Sequence, residues 1–166
     1  MSIVIGEFIF SGKQEPLPRN RGEAKRVLRK LAKSCGVERV SFVRAKHQLH
    51  GGFYHSKNKR IGIVEQYKSR KIPIYIMAFR LLHELVHHVQ CESHLFAAFY
   101  YQQYRDEKGK WRKFSSADRR RVALRAERHA DRKASELAWE LFGLAIRPPR
   151  PYPKEFLQET RKELLG

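Results

Sequence analysis

The chain has 166 residues, with 35 Lys and Arg against 17 Asp and Glu, for a formal net charge of +18 and a sequence pI near 10.3. That length is enough for one domain with a real core, and the two cysteines, Cys35 and Cys91, have no CxxC spacing, which excludes a zinc ribbon and a disulfide framework. No run reaches the ~18 apolar residues needed to span a bilayer, and residues 1–7 lack a basic leader and cleavage site, so the expectation is a cytoplasmic protein with no membrane partner.

Ile3, Val4, Ile5, Phe8, Ile9 and Phe10 suggest an opening strand, followed by a loop with Pro16 and Pro18. Asn20 can cap a helix running to about Ser34, with Ala24, Val27, Leu28, Leu31 and Cys35 on one stripe and Gly36 at its end. Residues 40–43 read as a second strand. Residues 51–54 and 60–66 read as a third and fourth, joined by the polar turn Ser56-Lys57-Asn58.

Residues 72–90 form the next predicted helix, with Pro73 in its first turn. Met77, Ala78, Leu81, Leu82, Leu85, Val86 and Val89 make it apolar over most of its surface, so it belongs in the core. Ser93 can cap a helix over 95–104 that carries Phe96, Phe99, Tyr100, Tyr101 and Tyr104. Residues 106–114 form a polar loop around Gly109. Ser115 with Asp118 resembles a capping box, opening a long helix that ends near Gly143. Residues 147–151 are a stiff proline-rich linker to a short amphipathic helix over 154–165. The expected organisation is one domain over 1–146 with this appendage over 147–166. Its class is α+β, a small mixed or antiparallel sheet with helices packed on one side.

The buried helix contains His83-Glu84-Leu85-Val86-His87, an H-E-x-x-H run. Residues four apart share a helix face, so His83 and His87 can reach one metal ion. Two histidines and a glutamate on a buried helix are costly without a partner, and a metal suits all three. Glu84, directly after the first ligand, can take a proton from a water activated by that metal. A third ligand is still needed. Glu127 and Asp131 lie four apart on the long helix, beside the small residues Ala126, Ala130 and Ala134. Glu127 can ligate, and Asp131 can accept a hydrogen bond from the outer nitrogen of a ligand histidine. His129 is an alternative ligand or an oxyanion donor, and Tyr100 or Tyr104 can also supply a hydroxyl to the oxyanion. His88 points about 100° away from His87 and is expected to pack or face solvent. His94 is a weaker candidate. His47, His50 and His55 have spacings that fit no metal site and read as surface or turn histidines.

With these residues the chain resembles the small zincin-like metallopeptidases of the ImmA/IrrE type. The matching segments are the apolar lead-in over 77–82 with H-E-x-x-H after it, and Glu127-x-x-Ala130-Asp131-x-x-Ala134. The SprT-like proteases, which act on proteins crosslinked to DNA, share the first motif. The resemblance implies a minimal zincin domain with H-E-x-x-H on a central helix, one zinc ion, and hydrolysis of peptide bonds in a protein substrate, often a transcriptional repressor. It also implies that Arg60, Ile61, Gly62, Ile63 and Val64 form the edge strand beside the site, where extended substrate would pair.

The bases cluster over 19–33, 57–71 and 105–133. Such a field attracts nucleic acid or an acidic protein. The alternative expectation is therefore a non-enzymatic, basic nucleic-acid-binding protein whose histidines are structural. No helix-turn-helix or zinc finger can be picked out, so contacts to DNA would be to phosphates.

Overall fold

A computed structural model describes residues 2–5, 8–11, 14–46, 51–92, 103–105, 107–113 and 115–147. His47, His50, His94, Tyr100, Ser93, the aromatic segment over 95–102, the proline-rich linker beyond Arg147 and the helix over 154–165 lie outside the described residues. Among the described residues the architecture is α+β: a small mixed sheet, two separate two-stranded ladders and three α-helices.

The opening apolar segment is not one strand but two. Strand β1 (Ser2–Ile5) pairs antiparallel with β2 (Phe8–Ser11). Helix α1 (Arg21–Ser34) begins where expected, because the Asn20 side chain accepts from the Glu23 amide. Ala24, Leu28 and Ala32 are buried, whereas Val27, at the margin of the predicted stripe, is exposed. Gly36 adopts a φ of +83°, the left-handed turn that stops the helix.

Strands β3 (Arg39–Ala45), β4 (Gly52–His55), β5 (Arg60–Tyr67) and β6 (Arg70–Lys71) form the main sheet. β3 runs parallel to β5, while β4 and β6 pair antiparallel with it. The order β3-β5-β4 corrects the expectation for Arg60, Ile61, Gly62, Ile63 and Val64. These residues lie on the inner strand, hydrogen-bonded on both sides, and cannot receive a substrate strand. Ile61, Gly62, Ile63 and Val64 are all buried, and a continuous apolar run is the pattern of an inner strand, not an edge. Among the described strands the outer ones are β3 and β4, and β4 is the one that passes over α2.

Helix α2 (Ile74–Glu92) starts at Pro73, whose carbonyl accepts from Ile76 and Met77. Arg21 of α1 ties this start down by donating to the Ile72 carbonyl at 2.6 Å and to Met77 Sδ at 3.0 Å. Met77, Ala78, Leu81, Leu82, Leu85 and Val86 fill the centre of the core with Ile61 and Ile63 of β5 and Leu28 and Ala32 of α1. No helix among the described residues is long and apolar enough to cross a membrane.

The segment before the last helix differs from expectation. Gln103–Arg105 forms β7 and pairs antiparallel with β8 (Trp111–Lys113), so Tyr104 lies opposite Arg112 in a hairpin and not in a helix. Gly109, at φ +73°, permits the turn between them. Helix α3 (Ser116–Phe142) has the expected limits. Ser115 accepts from the Asp118 amide, and Gly143 ends the helix at φ +66° with Leu144 N–H bonded to the Ala138 carbonyl. Ala123, Ala126, Ala130, Ala134 and Ala138 are fully buried on its inner face. Their small side chains let α3 approach α2 closely, and that approach builds the site.

Candidate metal centre

His83 and His87 stand one turn apart on α2 and point their Nε2 atoms at each other, 3.0 Å apart. Glu127 reaches in from α3. One carboxylate oxygen lies 3.1 Å from His83 Nε2 and the other 3.1 Å from His87 Nε2. These three residues are a possible metal-binding group, with one ligand atom from each within 4.8 Å of the others.

The outer nitrogens explain what the inner ones can do. His83 Nδ1 lies 2.8 Å from Asp131 Oδ1. The acceptor is a carboxylate, so Nδ1 carries the hydrogen and Nε2 is left with a lone pair. His87 Nδ1 lies 2.7 Å from Gln90 Oε1. The amide orientation of Gln90 is set by its own neighbours. Its Nε2 donates to the Ala126 carbonyl at 2.9 Å and to His129 Nδ1 at 3.0 Å, which leaves Oε1 to face His87. Both histidines therefore present bare Nε2 lone pairs toward a carboxylate. Three acceptors meet with no donor among them, and only a proton or a metal cation between them removes the repulsion.

The geometry suits a metal. Zinc–ligand bonds of about 2.0–2.1 Å in a tetrahedron put neighbouring ligand atoms about 3.3 Å apart; here the two Nε2 atoms are 3.0 Å apart and each is 3.1 Å from a different oxygen of Glu127.

The electrostatics follow from the same contacts. Burial opposes charging His83, but its hydrogen bonds to Asp131 and Glu127 outweigh that and raise its pKa well above the usual imidazole value. Burial likewise opposes charging His87, and the charge of Glu127 with its hydrogen bond raises the pKa. Burial would push Glu127 upward, yet the two imidazoles hold its carboxyl well below the ordinary range. The trio thus holds positive charge strongly.

Glu84 is buried and lies under β4. A Cβ on Gly52 of β4 would come within 3.1 Å of Glu84 Oε1 and 3.0 Å of the Gly62 carbonyl. Gly52 is what allows β4 to pass this close. Arg80, one turn before Glu84, lies against Gly51, where any Cβ would collide with its guanidinium. Burial lowers its pKa.

The structure brings together His83, Glu84, His87, Glu127 and Asp131. His129 stays outside the ligand trio, with Nδ1 committed to Gln90. Burial first, then the charges of Arg132 and Lys133, lower its pKa. His88 packs and does not face solvent. It is buried, donates from Nε2 to the Cys35 carbonyl at 2.9 Å and accepts at Nδ1 from the Tyr54 hydroxyl at 2.8 Å. His55 is exposed on β4, its ring edge-on to Phe53. Cys35 and Cys91 are buried free thiols, and burial pushes Cys35 up to about 12. Gln90 is the residue that sequence reasoning missed. Its signal was a polar side chain three residues after His87 on an otherwise buried helix.

No protein-family model, curated protein or solved structure matches this chain.

Proposed function

We propose that this chain is a zinc-dependent metallopeptidase of the zincin class. One observation carries the reading: two imidazole lone pairs and a carboxylate converge from two helices, with each imidazole's other nitrogen tied to a buried acceptor. Structural histidines do not need their lone pairs aimed at one another. His83, His87 and Glu127 would hold the ion. Zinc bound there would supply a Lewis acid that acidifies water and polarises a carbonyl.

The chain's own residues do the rest. Glu84, beside the trio and beneath β4, takes the proton from the attacking water and later gives it to the leaving amine. Asp131 and Gln90 keep the two imidazoles in register. β4 is an outer strand among the described ones and lies next to Glu84, where it would offer main-chain groups to an extended peptide. That replaces β5 as the docking strand and favours a peptide over a compact small molecule as substrate.

Elemental analysis of the purified protein tests the reading, with about one zinc per chain expected. Glu84→Gln should retain the zinc and lose hydrolysis of an unstructured protein substrate by on the order of a thousandfold. A folded, metal-free protein that does not take up zinc ends the proposal. So does a fully active Glu84→Gln variant.

A further inference from the structure

Helix α3 presents two opposed faces. The inner one carries the buried alanines with Glu127 and Asp131. On the other side Arg121, Arg125, Arg128 and Arg132 follow at steps of four, three and four residues, which aligns them in one row. All four are exposed, and none has a hydrogen bond or ion pair with any described residue. The row extends about 16 Å at the α-helical rise per residue. Two helical turns further on, seven residues past Arg132, Trp139 occupies the same face and is 58% exposed.

Two features separate this row from a merely solvated basic surface. No carboxylate lies among the four arginines, and the acids at the two ends of the row are engaged: Asp118 with Ser115 at the N-cap, and Glu136, between Arg132 and Trp139, with Lys133 at 2.9 Å. The tryptophan at its end is held on a fixed backbone. Gln14 Nε2 donates to the Trp139 carbonyl at 2.7 Å, and the Glu15 amide bonds the Leu141 carbonyl. An exposed indole on a braced backbone is a stacking platform.

We infer that this outer face of α3 binds single-stranded nucleic acid, with the four guanidiniums on successive phosphates and Trp139 stacked on an unpaired base. The chemistry selects the partner. Arginines match phosphate oxygens in a bidentate fork, and the net charge of +18 draws a polyanion from a distance. A duplex satisfies the arginines but keeps its bases stacked inside, whereas a single strand satisfies both groups. An acidic protein offers carboxylates but no stack of flat rings. The inference does not use the metal centre and stands or falls separately from it.

Fluorescence anisotropy with a labelled oligothymidylate of about 20 nucleotides is the test. The triple substitution Arg125→Gln, Arg128→Gln and Arg132→Gln should flatten the plot of log affinity against log salt by about 2, the share of three single-strand phosphates. Removing the same charge from α1, by Arg26→Gln, Lys30→Gln and Lys33→Gln, should leave that slope unchanged. Trp139→Ala should weaken binding roughly 5- to 150-fold, and Trp139→Phe should restore most of it. Circular dichroism confirms that each variant is folded. The inference is overturned by absent binding, by equal losses in the two triple variants, by a duplex bound as tightly with Trp139→Ala silent, or by polyglutamate competing as well as the oligonucleotide.

Discussion

Helices α1 and α3 are both rich in bases and use their charge differently. In α1 three of the six bases are part of the architecture. Arg21 holds the start of α2, Lys25 forms an ion pair with Glu65, and Lys25 and Arg29 lie over the Phe42 ring at 5.2 and 5.0 Å. In α3 the acids are architectural. Glu127 and Asp131 turn inward to the histidines, and Arg121, Arg125, Arg128 and Arg132 are left facing solvent. A count of charges makes α1 the more basic helix, with six bases against one acid, where α3 has seven against five. Their partners show that Arg21, Lys25 and Arg29 of α1 are engaged within the fold, while the arginine row of α3 faces solvent and ends at an exposed tryptophan.

The sharpest way to break this comparison is to change neighbours on α3. Glu127→Ala should abolish stoichiometric zinc retention after dialysis, while Arg128→Gln, the next residue, should leave it unchanged. Equal zinc in both variants would mean that the inner face of α3 is not part of the metal centre. A smaller effect is expected one layer out. Gln90→Leu removes the acceptor that orients His87 and should lower zinc affinity about 10- to 100-fold, read by competition with a chromophoric chelator. An unaltered affinity would reduce Gln90 to a helix–helix strut. The smallest effect separates the two basic faces. Arg21→Met should cost about 1–2 kcal/mol in denaturant unfolding through loss of the bond to the Ile72 carbonyl, whereas Arg125→Met should stay within about 0.5 kcal/mol. Similar costs would show that α3's arginines also support the fold.

Much of the site was legible because its signals are local. H-E-x-x-H puts two imidazoles on one turn of helix by geometry alone, and the apolar residues around it require burial. Glu127 and Asp131 were legible as an i,i+4 pair among small residues. The roles of Gln90 and His129 were not, because they depend on which carbonyl of α3 comes opposite α2. Gly52 likewise has no local signature. Its meaning appears only when β4 is laid over Glu84. The misreading of residues 60–64 has the same origin. An isolated strand shows its buried faces in its sequence but not which neighbours occupy its two sides. The hairpin of β7 and β8 was hidden because the aromatic residues before Asp106 suit a helix and a strand equally well.

Local chemistry in the chain determined the limits of α1 and α3, through Asn20 and Gly36, and through Ser115 and Gly143. It also determined that His83 and His87 share a face, since capping, left-handed turns and helical periodicity act over only a few residues. Tertiary packing decided the strand order, the placement of Glu84 under β4, and the meeting of Glu127 with both imidazoles. Those arrangements require segments some 40 residues apart in the sequence to be brought to hydrogen-bonding distance, and only the close contact of the alanine face of α3 with α2 does that.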